Sequence, residues 1–286
     1  MKQYVVISGK GGTGKTSVTA GLAATGTSLV LADCDVDAAD LHLVLQPEVQ
    51  ERLPFTGGVV AVHDPVLCNG CGECSAACRF GAVAPGPVIR RELCEGCGVC
   101  AFVCPLGAIS MQDRVCGTWF VSETRFGPMV HAALGIGEEN SGKLVSTVRA
   151  RARDIAMELG VETVLIDGSP GIGCPVIASL TGADGVVVVT EPTCAALHDL
   201  DRVHKLACHF TIPMGVVLNK YDLHDGIAEK VELFCKARNI PVLGRLPYAR
   251  VFADAQLDGV TVPEKGGAEV QEWFHAIWRA LGQLRA

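Results

Sequence analysis

The chain has 286 residues, 49% of them hydrophobic, so it can bury a large core as one big domain or two smaller ones. A net charge of −7 argues against a broad nucleic-acid surface, and Arg149, Arg151 and Arg153 are predicted to lie on the solvated face of a helix. The longest apolar runs have the length of strands, so no transmembrane helix is expected and membrane binding is disfavoured.

The first predicted strand, Tyr4-Val5-Val6-Ile7, begins so early that it leaves no room for a signal peptide, and a cytoplasmic location is expected. It runs into S-G-K-G-G-T-G-K-T-S, which fits the phosphate-loop motif G-x-x-x-x-G-K-[ST]. The predicted nucleotide-binding residues of this loop are Gly9, Lys10, Gly11, Gly12, Thr13, Gly14, Lys15, Thr16 and Ser17. Glycines let backbone N–H groups surround phosphate oxygens, and the following helix N-terminus adds positive charge. Lys15 is expected to contact the β- and γ-phosphates, and Thr16 to bind Mg²⁺.

A second lysine, Lys10, is not explained by the general motif. The pattern K-G-G-x-G-K-[ST] resembles the deviant phosphate loop of the MinD, ParA and nitrogenase iron protein group of ATPases. The resemblance implies a homodimer that sandwiches nucleotide, in which Lys10 crosses to the partner's γ-phosphate and stabilises the charge that develops there. A solvated loop lysine is the alternative.

The next predicted strand, Leu29–Asp33, delivers three carboxylates, Asp33, Asp35 and Asp37, to the edge where parallel sheets bind ligands. In the resembled family, the D-x-D of the first switch matches Asp35 and Asp37. This match implies that Asp35 lies at the magnesium and that Asp37 orients the attacking water. A turn or helix cap is the alternative role, and it fits Asp33 best.

Cysteines supply the second strong signal, because eight of the 14 fall into two runs of C-x2-C-x2-C-x3-C. The runs consist of Cys68, Cys71, Cys74 and Cys78, then Cys94, Cys97, Cys100 and Cys104. In a cytosolic chain such runs indicate metal rather than disulfides, and zinc is disfavoured by the spacing.

The two runs resemble a bacterial two-cluster ferredoxin, in which the fourth cysteine of each run ligates the other cluster. The resemblance implies one [4Fe–4S] cluster on Cys68, Cys71, Cys74 and Cys104. It implies a second cluster on Cys94, Cys97, Cys100 and Cys78. Arg79 replaces the usual proline after one fourth cysteine, and we hypothesise that it alters the potential of its cluster.

The ferredoxin-like repeat spans residues 62–112 and interrupts the ATPase pattern of residues 1–61 and 113–286. The chain is thus similar to a MinD-superfamily ATPase with an inserted domain. The predicted fold class is α/β, with a mostly parallel, doubly wound P-loop NTPase sheet and an inserted α+β ferredoxin-like domain.

Three further buried strands are predicted at Thr163–Asp167, Gly185–Thr190 and Met214–Asn219. The first resembles a Walker B strand followed by the second switch, so Asp167 is expected to contact Mg²⁺ through water. Asn219 resembles the family's base-contacting asparagine, and Pro247 and Tyr248 are expected to flank the base. Residues 219–222 also read N-K-x-D, the guanine-reading motif of GTPases, which keeps GTP as the alternative to ATP.

Cysteines outside the runs are predicted to pack in the core, namely Cys34, Cys116, Cys194, Cys208 and Cys235. Cys174 follows the second switch at a spacing that resembles a cluster ligand of the nitrogenase iron protein. A small buried cysteine is the commoner explanation, and a metal or cofactor site on the dimer axis is the alternative. Near the C-terminus, Trp273, Phe274, Ile277, Trp278 and Leu281 form one helical stripe that is predicted to pack on the sheet.

These patterns predict a slow, partner-stimulated ATPase in which nucleotide-driven switch motion is coupled to electron transfer through two clusters. The catalytic residues are expected to be Lys10, Lys15, Asp37 and Asp167. One alternative is an ATP-dependent factor that matures iron–sulfur or other metal cofactors in a client. The other is a MinD-like spatial regulator with a redox-sensing insert. The redox partner or client is not identified by the sequence.

Overall fold

The computed structural model describes residues 1–135, 137–138 and 142–284, and it contains two compact units. The first unit comprises Met1–Leu53, Trp119–Ala133 and Asn140–Ala286, and the second comprises Pro54–Thr118 and Leu134–Glu139. The strands are β1 (Lys2–Ser8), β2 (Leu29–Asp33), β3 (Glu48–His63), β4 (Val83–Ala84), β5 (Val88–Ile89), β6 (Ile109–Thr124), β7 (Gly127–Leu134), β8 (Thr163–Pro170), β9 (Gly185–Thr190), β10 (Met214–Asn219) and β11 (Val242–Leu246). The helices are α1 (Lys15–Thr25), α2 (Leu41–Leu45), α3 (Glu73–Ala77), α4 (Val99–Phe102), α5 (Lys143–Leu159), α6 (Cys174–Leu180), α7 (Cys194–His209), α8 (Asp225–Ala237), α9 (Arg250–Asp258) and α10 (Val262–Leu281).

A largely parallel sheet carries the first unit, with strand order β11-β10-β9-β1-β8-β2-β7 followed by β6 and β3. The pairs from β11 to β7 are parallel. Strands β1, β2, β8, β9 and β10 are almost wholly buried, because helices cover both faces of the sheet. The register places Asp33 of β2 beside Asp167 of β8. The carboxyl ends of β1, β2 and β8 therefore meet at one edge of the sheet.

The long strands β3 and β6 and the strand β7 were not predicted from the sequence. Residues 48–52 at the start of β3 are exposed, so they lack the apolar run or alternation that marks a buried strand. Strands β6 and β7 are joined by only two residues, Arg125 and Phe126, and so short a connection requires an antiparallel pair.

The predicted stripe on the last helix, α10, packs into the main core, as expected. Phe274, Ile277 and Leu281 are fully buried, and Trp273 and Trp278 pack against the same core. The indole N–H of Trp278 donates to the carbonyl of Leu22 at 2.7 Å. Within the part of the chain that the structure describes, no helix is both long enough and apolar enough to cross a membrane.

The prediction that Arg149 lies on a solvated face of α5 is wrong. The side chain is buried and donates to the carbonyls of Ala178 and Thr181 at 2.8 and 2.7 Å. It also donates to Oε1 of Gln3 at 2.9 Å. Burial lowers the pKa of Arg149, and these oxygens take the place of water at its two terminal nitrogens.

The second unit has a small core of its own, in which Val60, Ala61, Ala82, Val83 and Ile109 pack with buried cysteines. Strands β4 and β5 pair antiparallel beside α3 and α4. The ferredoxin-like repeat of residues 62–112 lies within this unit, which extends further in both directions because β3 and β6 continue beyond the repeat.

Candidate functional site

The loop between β1 and α1 has a backbone that only glycine tolerates at its key positions. Gly12 and Gly14 have positive φ angles of 80° and 91°. A Cβ atom on Gly14 would lie 2.3 Å from Nδ2 of Asn219, so a side chain there would also clash. The amide of Asn219 donates to the carbonyl of Thr13 at 2.8 Å and thereby braces the loop from β10.

Lys15 lies at the centre of a buried group of carboxylates. Its ammonium is 2.7 Å from Oδ1 of Asp167 and 3.2 Å from Oδ2 of Asp35. The hydroxyls of Thr16 and Thr19 donate to Asp167 at 2.8 and 2.9 Å. Asp167 thus accepts three hydrogen bonds and links the loop to β8.

At this edge of the sheet, the ammonium of Lys15 is surrounded by three carboxyl groups. Burial and, after it, the nearby charge of Asp167 raise the pKa of Asp33 well above its usual range. Within the described part of the chain, Oδ2 of Asp33 has no hydrogen-bond partner. Burial also raises the pKa of Asp35. For Lys15 burial acts to lower the pKa, but Asp167 and Asp35 together raise it. Oxygen ligands of this kind suit a Mg²⁺ ion.

A cavity of about 820 Å³ opens beside the loop. The predicted residues that line it are Gly11, Gly12, Gly14, Lys15, Thr16, Ser17, Asp35, Asn219, Pro247 and Tyr248. Three other loop residues, Gly9, Lys10 and Thr13, border a different, small recess beside α7. Asp167 lies beneath Lys15 and is fully buried, and Asp37 is exposed. The structure thus brings Asp35 and Asp167 together at Lys15. Asp37 lies near enough to raise the pKa of Asp35 by its charge.

Part of the cavity wall was missed by sequence reasoning. Apart from Pro170, which lies in the predicted second switch, these residues belong to the stretch around α2 and to α9, and they are Ala38, Asp40, Leu43, Val44, Ala249, Arg250, Phe252, Ala253 and Gln256. No motif marks them, because they meet the phosphate loop only through the packing of the fold.

Lys10 is held by an acidic side chain within its own chain. Its ammonium lies 2.8 Å from Oε1 of Glu191, which follows β9. The other oxygen of Glu191 is 3.0 Å from Nζ of Lys220, and Lys220 also donates to the carbonyl of Gly12 at 3.1 Å. Burial raises the pKa of Glu191, but the hydrogen bonds from Lys10 and Lys220 outweigh it and lower that pKa below its ordinary value.

The N-K-x-D residues are largely engaged within the protein. Asn219 and Lys220 hold the phosphate loop, as described above. Oδ1 of Asp222 accepts a hydrogen bond from the backbone N–H of Tyr248 at 2.6 Å. One acceptor site of the Asp222 carboxylate is therefore occupied within the protein.

The eight cysteines of the two C-x2-C-x2-C-x3-C runs lie in the second unit and are divided between two cavities. The first thiol cavity is bordered by Cys68, Cys71, Cys74 and Cys104. The second thiol cavity is bordered by Cys78, Cys94, Cys97 and Cys100. Among the described residues, no group of three or more His, Cys, Asp or Glu side chains converges on a point that a single metal ion could occupy.

Backbone N–H groups point toward several of these sulfurs. Gly70 donates to Cys68 at 3.4 Å, and Ala108 donates to Cys104 at 3.3 Å. Hydrogen bonds from backbone N–H groups lower the pKa of the Cys104 thiol, and the one from Leu106 has the largest effect. Such donors favour the thiolate, which is the form that binds metal.

Predictions for the remaining cysteines hold only in part. Cys34, Cys116 and Cys235 are buried, as predicted for packing residues. Cys194 and Cys208 are exposed, so their prediction is wrong; both lie in α7, outside its buried face. Cys174 is exposed at the start of α6, so the prediction that it is a small buried cysteine is wrong. Its role in metal binding stays a prediction.

Together, the parallel sheet, the glycine loop after β1 and the carboxylates of β2 and β8 define a P-loop nucleotide-binding protein. Residues 4–262 match the family described as the CobQ/CobB/MinD/ParA nucleotide binding domain, and the chain belongs to this family.

Several proteins are similar to the chain over most of its length. MJ0578 of Methanocaldococcus jannaschii is 33% identical over 227 residues, which cover 78% of this chain and 79% of that protein. The septum site-determining protein MinD of Neisseria meningitidis is 24% identical, over 99% of this chain and 92% of its own. The solved MinD of Pyrococcus horikoshii, complexed with Mg-ADP, shares the fold with a TM-score of 0.59 at 17% identity, covering 99% and 96% of the two chains.

Proposed function

We propose that the protein binds and hydrolyses ATP as a dimer and couples switch motion to electron transfer through two [4Fe–4S] clusters. The observation that carries the proposal is the presence, in one chain, of a P-loop carboxylate site and of eight cysteines divided four and four between two cavities. Each part of the proposal is supported separately.

For the nucleotide, the support comes from the cavity beside the loop. Backbone N–H groups of the loop and the ammonium of Lys15 would bind the phosphates once Lys15 turns from Asp167. Thr16 and Asp35 would then hold Mg²⁺, with Asp167 behind them, and Asp37 would orient the attacking water. The P. horikoshii relative was solved with Mg-ADP, which favours adenine. GTP is the alternative, and the bond from Tyr248 to Asp222 counts against it.

Lys10 would act in the active site of a second copy, as the resembled family implies. Its ammonium would then stabilise the charge that develops as the γ-phosphoryl leaves. The ion pair with Glu191 must open before Lys10 can do so. Hydrolysis would therefore be slow until a partner favours the closed dimer.

For the clusters, the support is the chemistry of the thiol cavities. Each thiolate of a [4Fe–4S] ligand set binds a different iron atom, so the four sulfurs surround a cage and do not converge on one ion. Four thiols border each cavity, with donors to sulfur from the backbone, and this arrangement fits the group. When bound, such a cluster supplies one-electron redox chemistry at a potential set by its surroundings.

A second candidate function is cofactor maturation for a client protein. In each thiol cavity one cysteine is exposed, namely Cys71 and Cys97. An exposed ligand is accessible to an exchanging thiol, so a cluster could be passed on from here. A spatial regulator with a redox-sensing insert is the remaining alternative, and similarity to MinD of N. meningitidis is what favours it.

The test is an EPR-monitored redox titration of anaerobically purified protein, together with iron and sulfide analysis. We expect eight irons per chain and a shift of at least one potential when Mg²⁺ and a non-hydrolysable ATP analogue are added. The Lys15→Ala variant is the matched control, because it keeps all eight cysteines and loses the phosphate contact. Eight irons without a shift would favour maturation. A preparation that binds no iron after reconstitution would refute the cluster proposal.

A further inference from the structure

One side chain of the second unit is unexplained by its surroundings. His63 ends β3 and borders the first thiol cavity together with Cys68, Cys71, Cys74 and Cys104. Its Nε2 atom is buried and has no hydrogen-bond partner among the residues that the structure describes. A buried imidazole nitrogen without a partner costs about 1–3 kcal/mol, so a position that keeps one calls for an explanation.

The internal repeat provides a comparison within the same chain. His63 stands five residues before Cys68, and the residue five before Cys94 is Ile89. Ile89 packs against the small core of the second unit. In the described part of the chain, the residues that border the second thiol cavity include no histidine. The imidazole therefore distinguishes two cavities that are otherwise built from the same repeat.

The chemistry of the first thiol cavity tells which role the imidazole can take. Thiolates and cluster sulfides accept hydrogen bonds and donate none, so an imidazole nitrogen that bonds to them must carry a proton. A hydrogen bond to cluster sulfur stabilises the reduced state, which carries one more negative charge, and thereby raises the reduction potential.

We propose that His63, through an Nε2–H group, is a hydrogen-bond donor to the group held by Cys68, Cys71, Cys74 and Cys104. His63 is a positioning and tuning residue and not a ligand. It makes the cluster of the first thiol cavity easier to reduce than it would be with an apolar residue at position 63. This inference rests on the proposed function, because it requires a cluster in that cavity.

The experiment compares the reduction potentials of both clusters in the wild-type protein and in three variants, after reconstitution to a measured iron content. His63→Leu removes the donor at similar size, and His63→Gln keeps an N–H donor. Ile89→Val is the matched control at the equivalent position of the repeat. Pulsed EPR of wild-type protein labelled with ¹⁵N-histidine looks for a coupling between a reduced cluster and an imidazole nitrogen.

In His63→Leu we expect one reduction equilibrium to become about tenfold less favourable, a shift of about 59 mV to lower potential, while the other is unchanged. His63→Gln should lie closer to wild type, and Ile89→Val should match it. Unchanged potentials in a fully loaded His63→Leu protein, or equal shifts of both, would overturn the inference and leave the proposed function standing. If His63→Leu cannot be loaded, the ¹⁵N coupling decides: its presence supports the inference and its absence overturns it. Wild-type protein that binds no iron would instead refute the proposed function, and the inference with it.

Discussion

The ion pair between Lys10 and Glu191 makes a prediction about the timing of hydrolysis. If Lys10 acts in a partner's site, Glu191 competes with that partner for the lysine. The substitution Glu191→Gln keeps the size of the side chain and removes its charge. It should release Lys10 from its own chain and raise the rate of ATP hydrolysis.

The size of the expected increase in hydrolysis rate follows from the solvent exposure of the ion pair. The side chains of Lys10 and Glu191 are 37% and 13% exposed, and their atoms are 2.8 Å apart. Ion pairs that remain partly in water contribute about 0.2–1 kcal/mol. Since about 1.4 kcal/mol corresponds to a factor of ten, the free population of Lys10 should rise between about 1.4-fold and about fivefold. The hydrolysis rate should rise by the same factor wherever release of Lys10 limits it.

The assay is phosphate release per chain over a range of protein concentrations, because action between two copies makes the rate depend on concentration. Lys10→Ala should show almost no turnover. The double variant Lys10→Ala/Glu191→Gln is the control for Lys220, which Glu191 also binds. Stimulation in the double variant would mean that Glu191 acts through Lys220. A rate in Glu191→Gln equal to or below that of wild type would refute the reasoning.

Three further predictions concern buried or paired charges. Asp167→Asn weakens the bond to Lys15 and removes a carboxylate of the proposed magnesium site, so hydrolysis should fall by roughly 100-fold or more while circular dichroism stays native. Near-normal turnover would contradict the proposed role of Asp167. Arg149→Met leaves buried carbonyls without a donor, and urea unfolding should show a loss of about 3–5 kcal/mol; a loss below about 1 kcal/mol would mean that water replaces the guanidinium. The paired Arg125 lowers the pKa of Glu264 from 4.5 to about 2, so its stabilisation is present above pH 4.5 and is lost as the pH falls toward 2. Glu264→Gln should therefore unfold more easily than wild type at pH 7, and the difference should shrink between pH 4.5 and pH 2; a gap independent of pH would contradict this cause.

Much of the first unit could be predicted because its signals are local. Strands such as β9 are short, continuous apolar runs, and such a run indicates a buried parallel strand. The phosphate loop is specified by glycines at fixed spacing, since positive φ angles at Gly12 and Gly14 admit little else. Membership of the family was likewise evident from the loop that contains Lys10.

What escaped prediction depends on contacts between distant parts of the chain. The run of Arg149, Arg151 and Arg153 predicted one solvated face, yet the Arg149 side chain donates to the carbonyls at the end of α6. Strand β3 carries an exposed, polar start and is held in the sheet by pairing, which no periodicity reveals.

The sequence by itself determined the kinds of chemistry this protein can offer: a phosphate loop, carboxylates at strand ends and eight thiols in two repeated runs. Residue type and spacing suffice for these, because each motif acts over a few neighbouring residues. Only the tertiary structure decided which groups meet: Glu191 with Lys10, Asp33 beside Asp167, and the buried nitrogen of His63 at one of two similar cavities. Such pairings are set by strand order and packing, since these bring together residues that are far apart along the chain.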